Sequence, residues 1–226
     1  MLNRDIYNKA PQDNRLVNNG VAEVSEDHSE AAQAVLRYEL ESFVCDGQYE
    51  KGLETILDKF LLNLDAGTEQ PGVWISGFYG SGKSHLAKML RTLWTDYRFT
   101  DGAMARSLAK LPTGVFEHLK ELSTQGKRHG SLHAAAGKLG AGAGDKVRLA
   151  LVGIVFKSKG LPEQYNQAQF VLWMKHEGIL PTVEAELIAV GRSLSQELPH
   201  MYVSSHLAKA LLKAQPDLDH TEADAR

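Results

Sequence analysis

The sequence contains a single cysteine, Cys45, and this scarcity rules out a disulfide within the chain. No group of cysteines and histidines has the spacing of a zinc site, and no apolar run approaches the length needed to cross a bilayer. The polar N-terminal residues lack the apolar stretch of a secretory signal peptide. A net charge of −3 gives the chain no overall field that attracts a polyanion, although a local basic surface would still bind one. These absences predict a cytoplasmic protein without membrane contact.

Apolar residues recur at helical spacing through most of the chain. The clearest stripe lies in a predicted helix at 49–64 and is expected to pack in the core; its members are Leu53, Ile56, Leu57, Phe60, Leu61 and Leu64. Similar patterns predict further helices at 29–44, 85–94, 101–110, 114–124, 163–177, 182–198 and 204–214. Segment 146–158, with Asp145 as N-cap, is predicted as a helix, but a strand remains open because VRLALVGIVF is also β-compatible. The residues SLHAAA, 131–136, are compatible with a short strand.

The segment GFYGSGKS, residues 77–84, separates an apolar run from a helical pattern. The run before it, VWISG at 73–77, has the composition of a buried strand. The segment matches the phosphate-binding motif G-x-x-x-x-G-K-[ST], whose fixed positions are occupied by Gly77, Gly82, Lys83 and Ser84. A strand before this motif and a helix after it are the context in which it binds nucleotides.

Each residue type in the motif has a chemical reason to be there. Gly80 and Gly82 let backbone N–H groups close around an anion without interference from a Cβ, and the following helix directs its unpaired N–H groups at the same point. Lys83 is expected to bridge the β- and γ-phosphates as the catalytic residue, and the Ser84 hydroxyl to coordinate Mg²⁺. The sequence therefore predicts that ATP is bound by Gly77, Phe78, Tyr79, Gly80, Ser81, Gly82, Lys83, Ser84 and His85.

The motif predicts an α/β fold with a P-loop NTPase core, followed by a helix-rich remainder. Hydrolysis also requires an acidic residue at the end of a second buried strand. The apolar run LVGIVF is followed by Lys157 instead, and FLLNLD lies on a predicted helix. The core is therefore expected to be incomplete, and the chain alone to bind ATP without efficient hydrolysis. The predicted domains are an extended segment 1–28, a partial nucleotide-binding core 29–145, a helical region 146–214 and a polar tail 215–226.

Four stretches resemble one family of bacterial proteins. The residues WISGFYGSGKSHLAKML, 74–90, carry an aromatic pair inside the loop and a histidine directly after the serine. In this they are similar to the BrxC family, the large P-loop ATPases of bacteriophage-exclusion (BREX) systems, to which the phage-growth-limitation ATPase PglY looks related. The stretches 4–24, 131–165 and 170–179 are similar to the same family.

The resemblance implies an AAA+-like ATPase much longer than this chain, acting in a multi-protein anti-phage complex that methylates host DNA. It also implies other BREX proteins as partners, contact with DNA through the complex and self-association of the full-length protein. Two alternatives remain open. One is a scaffold that nucleotide binding switches without hydrolysis. The other is a small P-loop kinase, for which arginines are scarce, since only Arg192 lies between Arg148 and Arg226.

Several residues near the loop have more than one interpretation. His85 either touches the γ-phosphate or a partner subunit, or it caps the helix or faces solvent. Phe78 and Tyr79 either stack on a base or a neighbouring subunit, or they pack over the end of the strand. A basic group either follows a phosphate backbone or belongs to a solvated loop; its members are Lys127, Arg128, His129 and Lys138. Cys45 is predicted to be a small core residue.

Overall fold

The computed structural model describes residues 29–66, 72–139 and 146–218, most of which are helical. The helices in chain order are α1 (Glu30–Glu41), α2 (Gly47–Ala66), α3 (Lys83–Trp94), α4 (Ala105–Leu108), α5 (Thr113–Arg128), α6 (Val147–Ser158), α7 (Tyr165–His176), α8 (Leu180–Ala189), α9 (Leu194–Glu197) and α10 (Ser205–Ala214), with a 3₁₀ turn at Leu198–His200. The chain separates into two compact units at the bond between Gly137 and Lys138, here called the first and second units.

The predicted α/β P-loop NTPase core is wrong for this chain. Within the described ranges there is no β-strand and no sheet, and the one β-bridge pairs Arg98 with Met104. The segment 73–77, predicted as a buried strand, is irregular; Ile75 packs against the core of the first unit, but Val73 is exposed. A strand is stabilised by pairing with neighbours in a sheet, and the described residues supply none for this segment. Residues 131–136 are likewise irregular.

The strongest helix predictions are confirmed. The predicted helix 49–64 is α2, and its apolar stripe faces the core, with Leu53 and Leu57 fully buried. The open choice at 146–158 is settled as helix α6. Ser204 caps α10, because its Oγ accepts a hydrogen bond from the Leu207 N–H at 3.0 Å.

Other predicted helices have different bounds. The prediction at 101–110 is reduced to the single turn α4, while α5 runs beyond 124 and includes Gly126. The prediction at 182–198 is interrupted after α8, where Gly191 adopts a positive φ of 71°. The predicted segment 1–28 and the predicted N-cap Asp145 lie outside the described residues, as does most of the polar tail.

The core of the first unit is formed by α1, α2, α3 and α5. Its most deeply buried aliphatic residues each come from the inward face of one of these helices: Leu40, Leu53, Leu57, Met89, Leu93, Val115, Leu119 and Leu122. Each such side chain contributes roughly 1.5–3 kcal/mol by leaving water. Cys45 is a buried member of the same cluster, which confirms the prediction of a core residue. Burial also raises the pKa of its thiol to about 11.

The core of the second unit is formed mainly by α7, α8 and α10. Its buried residues include Phe170, Val171, Met174, Ile179, Val183, Leu187, Leu207 and Leu211. Ser193 begins α9 with a reciprocal capping box, in which its backbone N–H donates to the Gln196 side chain at 3.1 Å. None of the helices that the structure describes is long and apolar enough to cross a membrane.

Candidate phosphate-binding loop

The loop 77–84 leads directly into α3, which begins at Lys83. Gly82 is the N-cap residue and has a left-handed φ of 81°, and Gly80 has a φ of 79°. Residues with a side chain rarely adopt such values, so the backbone requires glycine at both positions. Gly82 also brings no side chain to accept hydrogen bonds from the first turn of α3. The N–H groups of that turn, at the positive end of the helix dipole, are therefore available to an external anion.

The side chain of Lys83 folds back over the loop. Its Nζ donates a hydrogen bond to the Phe78 carbonyl oxygen at 2.7 Å and a longer one to Ser81 Oγ at 3.5 Å. The Ser81 N–H donates to the same Phe78 oxygen at 3.2 Å and closes the turn. The ammonium group is thus held against the loop backbone, next to the first turn of α3. A positive charge and a set of backbone donors therefore lie together, as a phosphate requires.

Two close contacts fix the shape of the loop. A Cβ on Gly77 would lie 2.7 Å from Ser81 Oγ, so a side chain at the start of the loop would displace the Ser81 hydroxyl. Near its end, the Tyr49 hydroxyl donates a hydrogen bond to the Ser81 carbonyl oxygen at 2.6 Å. Sequence reasoning missed Tyr49, because the contact joins residues 32 positions apart and no local pattern marks it.

Helix α3 itself is held by buried polar groups from other elements. Lys88 Nζ forms an ion pair with Glu39 Oε2 at 2.6 Å, and the Glu39 side chain is buried. At the C-terminal end of α3, the buried Arg106 guanidinium donates to the carbonyl oxygens of Leu93 and Trp94, at 2.7 and 2.9 Å. These contacts define the direction of α3, and with it the direction in which its first turn points. Neither Glu39 nor Arg106 carries a signal in the sequence that would have marked it.

The imidazole of His85 does not cap the helix, and it is half-buried. It packs edge-on against Phe43, with ring centroids 5.7 Å apart. Burial lowers the pKa of His85 below its ordinary value, an effect that nearby Lys88 reinforces and Glu39 opposes. His85 therefore connects the first turn of α3 to the core, and the prediction that it faces solvent or caps the helix is wrong.

Phe78 and Tyr79 project from the loop into solvent. Their exposed fractions are 91 % and 99 %, so the prediction that they pack over the end of a strand is wrong. Trp74, in the segment that leads into the loop, is 90 % exposed. Aromatic side chains with this exposure are typical of surfaces that bind another molecule.

The remaining predicted residues are at the surface. Ser84 is exposed in the first turn of α3, which leaves its hydroxyl accessible to a ligand. Lys127, Arg128 and His129 are exposed at the end of α5, in keeping with a solvated basic group. No three His, Cys, Asp or Glu side chains within 29–66, 72–139 and 146–218 are placed to hold a metal ion by themselves.

A separate groove of about 650 Å³ lies in the second unit, and Leu161, Val171 and Leu194 are among its lining residues. It contains none of the residues that the sequence predicted for the site. No protein-family model, curated protein or solved structure matches the chain. The candidate site therefore depends on the motif and on the geometry of the loop.

Proposed function

We propose that the chain binds ATP with Mg²⁺ through the loop 77–84. The single observation that carries the proposal is the juxtaposition of the Lys83 ammonium with an uncapped first turn of α3, both placed by a loop whose glycines have positive φ. A folded-back lysine with two neutral oxygen partners is a ready cation for a phosphate, since a charge-assisted bond is stronger than a bond to a carbonyl.

Each residue of the loop has a distinct task in this proposal. The N–H groups of the first turn of α3 would receive the β-phosphate, and Lys83 would neutralise charge on the β- and γ-phosphates. The Ser84 hydroxyl would be the chain's ligand to Mg²⁺, which commonly takes one or two protein ligands and completes its shell with phosphate oxygens and water. The bound metal would neutralise phosphate charge, while the protein groups hold the triphosphate in place.

The wider role we propose is that of the nucleotide-binding N-terminal region of a large ATPase in a BREX-type anti-phage complex of the bacterial cytoplasm. The support is the sequence resemblance around 74–90, with its aromatic pair and His85. In that role the other BREX proteins are partners, DNA is contacted through the complex, and the full-length protein self-associates. Binding by this chain is proposed to occur without efficient hydrolysis of its own.

The first test is calorimetric titration of the 226-residue chain with Mg·ATP and, separately, with inorganic tripolyphosphate. Lys83→Ala removes the one ammonium group that contacts the loop among the described residues. We expect about 10- to 100-fold weaker binding of both ligands, the range expected when a hydrogen bond to a charged group is lost. Lys110→Ala, at an exposed lysine of the same unit, is the matched control and should bind like the wild type.

If the wild type binds neither ligand, the proposed function is wrong for this chain. Equal binding by wild type and Lys83→Ala would show that any nucleotide site lies elsewhere. The wider role has its own test in a strain carrying the complete defence system. There Lys83→Ala should abolish phage exclusion while Lys110→Ala preserves it. Unchanged phage exclusion with Lys83→Ala would contradict the proposed wider role.

A second candidate is an interaction module that nucleotide binding switches. The exposure of Phe78 and Tyr79 on the loop itself favours it, because a ligand that reshapes the loop would also move these rings. Sedimentation of the chain with and without Mg·ATP tests self-association through this surface. A mass that changes with ATP in the wild type, but not in a Phe78→Ser/Tyr79→Ser variant, would support the switch.

A further inference from the structure

We infer that Tyr49 is a positioning residue of the phosphate-binding loop, a role that rests on the proposed function and deepens it. Tyr49 lies in the first turn of α2, and its hydroxyl donates to the Ser81 carbonyl oxygen at 2.6 Å. It touches the loop from the side of α2, whereas Lys83 touches it through the Phe78 oxygen. The loop is thus held by two different donors at two different carbonyl groups.

The position of the Tyr49 hydroxyl is set by the core and not by the loop. The ring is half-buried and packs against the core cluster of the first unit. Its backbone N–H donates to the Asp46 carbonyl oxygen at 3.0 Å, and further along α2 the side chains of Leu53 and Leu57 are fully buried. A phenolic ring has only two side-chain torsions, so packing of the ring leaves its hydroxyl little freedom. The Tyr49 hydroxyl therefore holds the loop at a position that is set by packing of the ring against the core.

The hydrogen bond from Tyr49 selects one orientation of the peptide group between Ser81 and Gly82. In a planar trans peptide the C=O and the N–H point in opposite directions. Because the Ser81 oxygen points at the Tyr49 hydroxyl, the Gly82 N–H points away from that hydroxyl. Glycine allows such a peptide group to rotate at little cost, so without the hydroxyl the Gly82 N–H would sample other directions. Tyr49 therefore keeps one backbone donor of the loop in a fixed direction.

The same contact explains a second requirement for glycine at position 82. A Cβ on Gly82 would overlap the Tyr49 hydroxyl, in addition to being strained at φ 81°. A phosphate that attracts the Lys83 ammonium would compete with its bond to the Phe78 oxygen, whereas the bond from Tyr49 uses neither that ammonium nor a backbone N–H. Tyr49 can therefore hold the loop in the same shape before and after binding, which reduces the entropy cost of ordering the loop.

Tyr49→Phe in the 226-residue chain tests this role, because it removes the hydroxyl and retains the ring. By calorimetry, we expect Mg·ATP and tripolyphosphate each to bind about 3- to 10-fold more weakly, since one hydrogen bond no longer orients the loop. The melting temperature without ligand should stay close to that of the wild type, because the bond is at the surface. Tyr165→Phe, at a half-exposed tyrosine of the second unit, is the matched control and should leave both affinities unchanged.

Amide resonances supply a readout that a purely structural role would not produce. In ligand-free Tyr49→Phe, we expect the amides of Ser81 and Gly82 to shift or broaden while the remaining spectrum of the first unit is retained. Wild-type affinity with unchanged Ser81 and Gly82 amides would overturn the inference and leave the proposed function intact. A large fall in melting temperature with changes throughout the first unit would also overturn it, since Tyr49 would then support the fold. If the wild type binds neither ligand, the proposed function fails first and the positioning role falls with it.

Discussion

The first unit buries polar side chains against its loop-bearing helix, whereas the second unit is held mostly by apolar contacts. Among the described residues, the first unit buries Glu39, Arg106 and Gln125 as well as a threonine, and the second unit buries Glu197 alone. Apolar packing is tolerant of small rotations, but a buried charge accepts few partners in few directions. This difference indicates that the orientation of α3, the helix whose first turn forms the candidate site, is specified more strongly than that of the helices in the second unit.

The two units also differ in the contacts that hold one helix of each, α3 in the first and α6 in the second. In the first unit α3 is anchored at its middle by the ion pair of Lys88 with Glu39, and at its C-terminal end by Arg106. In the second unit α6 is apolar around most of its circumference, yet Leu149, Leu151 and Val155 are each half-exposed. Gly153 is its one buried residue, at the contact with the segment before α7. The close approach at Gly153 and the ring contact of Phe156 with Tyr165 therefore position α6, whereas directed polar contacts position α3.

The largest effect is expected from removing the buried guanidinium in the first unit. Arg106→Met keeps the length of the side chain but removes a charged donor from the carbonyl oxygens of Leu93, Trp94 and Leu119. The Leu93 oxygen then still accepts from the Asp96 N–H and the Leu119 oxygen from Ser123 Oγ, each at 3.2 Å. Because these oxygens stay buried, we expect the free energy of unfolding of the first unit to fall by about 3–5 kcal/mol. Urea unfolding followed by circular dichroism measures it.

Arg98→Met, at an exposed arginine of the same unit, is the control and should stay within about 0.5 kcal/mol of the wild type. If Arg106→Met behaves like this control, the polar contacts do not specify the position of α3. The contrast between the two units would then disappear.

A smaller effect is expected at the close contact of α6. A Cβ on Gly153 would lie 2.7 Å from the backbone oxygen of Glu163, so Gly153→Ala must displace one of the two segments. We expect the second unit to lose about 1–2 kcal/mol, because the strain exceeds the gain in helix propensity that alanine brings. Arg148→Ala, at an exposed residue of the same helix, should change the free energy by less than about 0.5 kcal/mol. A stable Gly153→Ala would mean that α6 is not held by this contact.

How far the sequence predicts this structure depends on the range of each interaction. The stripe of α2 was predicted because helical spacing is a local property, and Leu53 and Leu57 are buried as that spacing requires. The position of the glycine loop was predicted for the same reason, since a fixed pattern of glycines reports local backbone conformation. The strand at 73–77 failed because a strand depends on a neighbour that a local pattern does not show.

The contacts that position the loop were not predictable from one sequence. Tyr49 reaches Ser81 across 32 positions, and Arg106 reaches Leu119 and Ser123 across 13 and 17. An arginine or a tyrosine on a helix is most often at the surface, and only the packing of the elements decides otherwise. The motif thus identified the candidate loop, while the residues that hold the loop in place came from the tertiary structure.

The smallest effect is a pH dependence from His85, which lies where the anchored helix α3 meets the core. Burial lowers the pKa of His85 in the folded chain, whereas the unfolded chain keeps the ordinary value of about 6.5. As the pH falls below that value, the unfolded state binds more protons, so the free energy of unfolding of the first unit decreases until the folded pKa has been passed. Above about pH 7 the imidazole is neutral in both states and contributes no pH dependence.

His85→Phe retains an aromatic ring beside Phe43 and has no titrating group. We expect it to lose less stability than the wild type between pH 7.5 and about 5.5, measured as urea midpoints of the first unit. His206→Gln, at an exposed histidine of α10, should keep the wild-type pH dependence of that transition. If His85→Phe and the wild type show the same pH dependence, the group that titrates on unfolding is not His85. This result would also mean that the start of α3 is more open to water than the contact with Phe43 implies, which would weaken the contrast with α6 at the point nearest the candidate site.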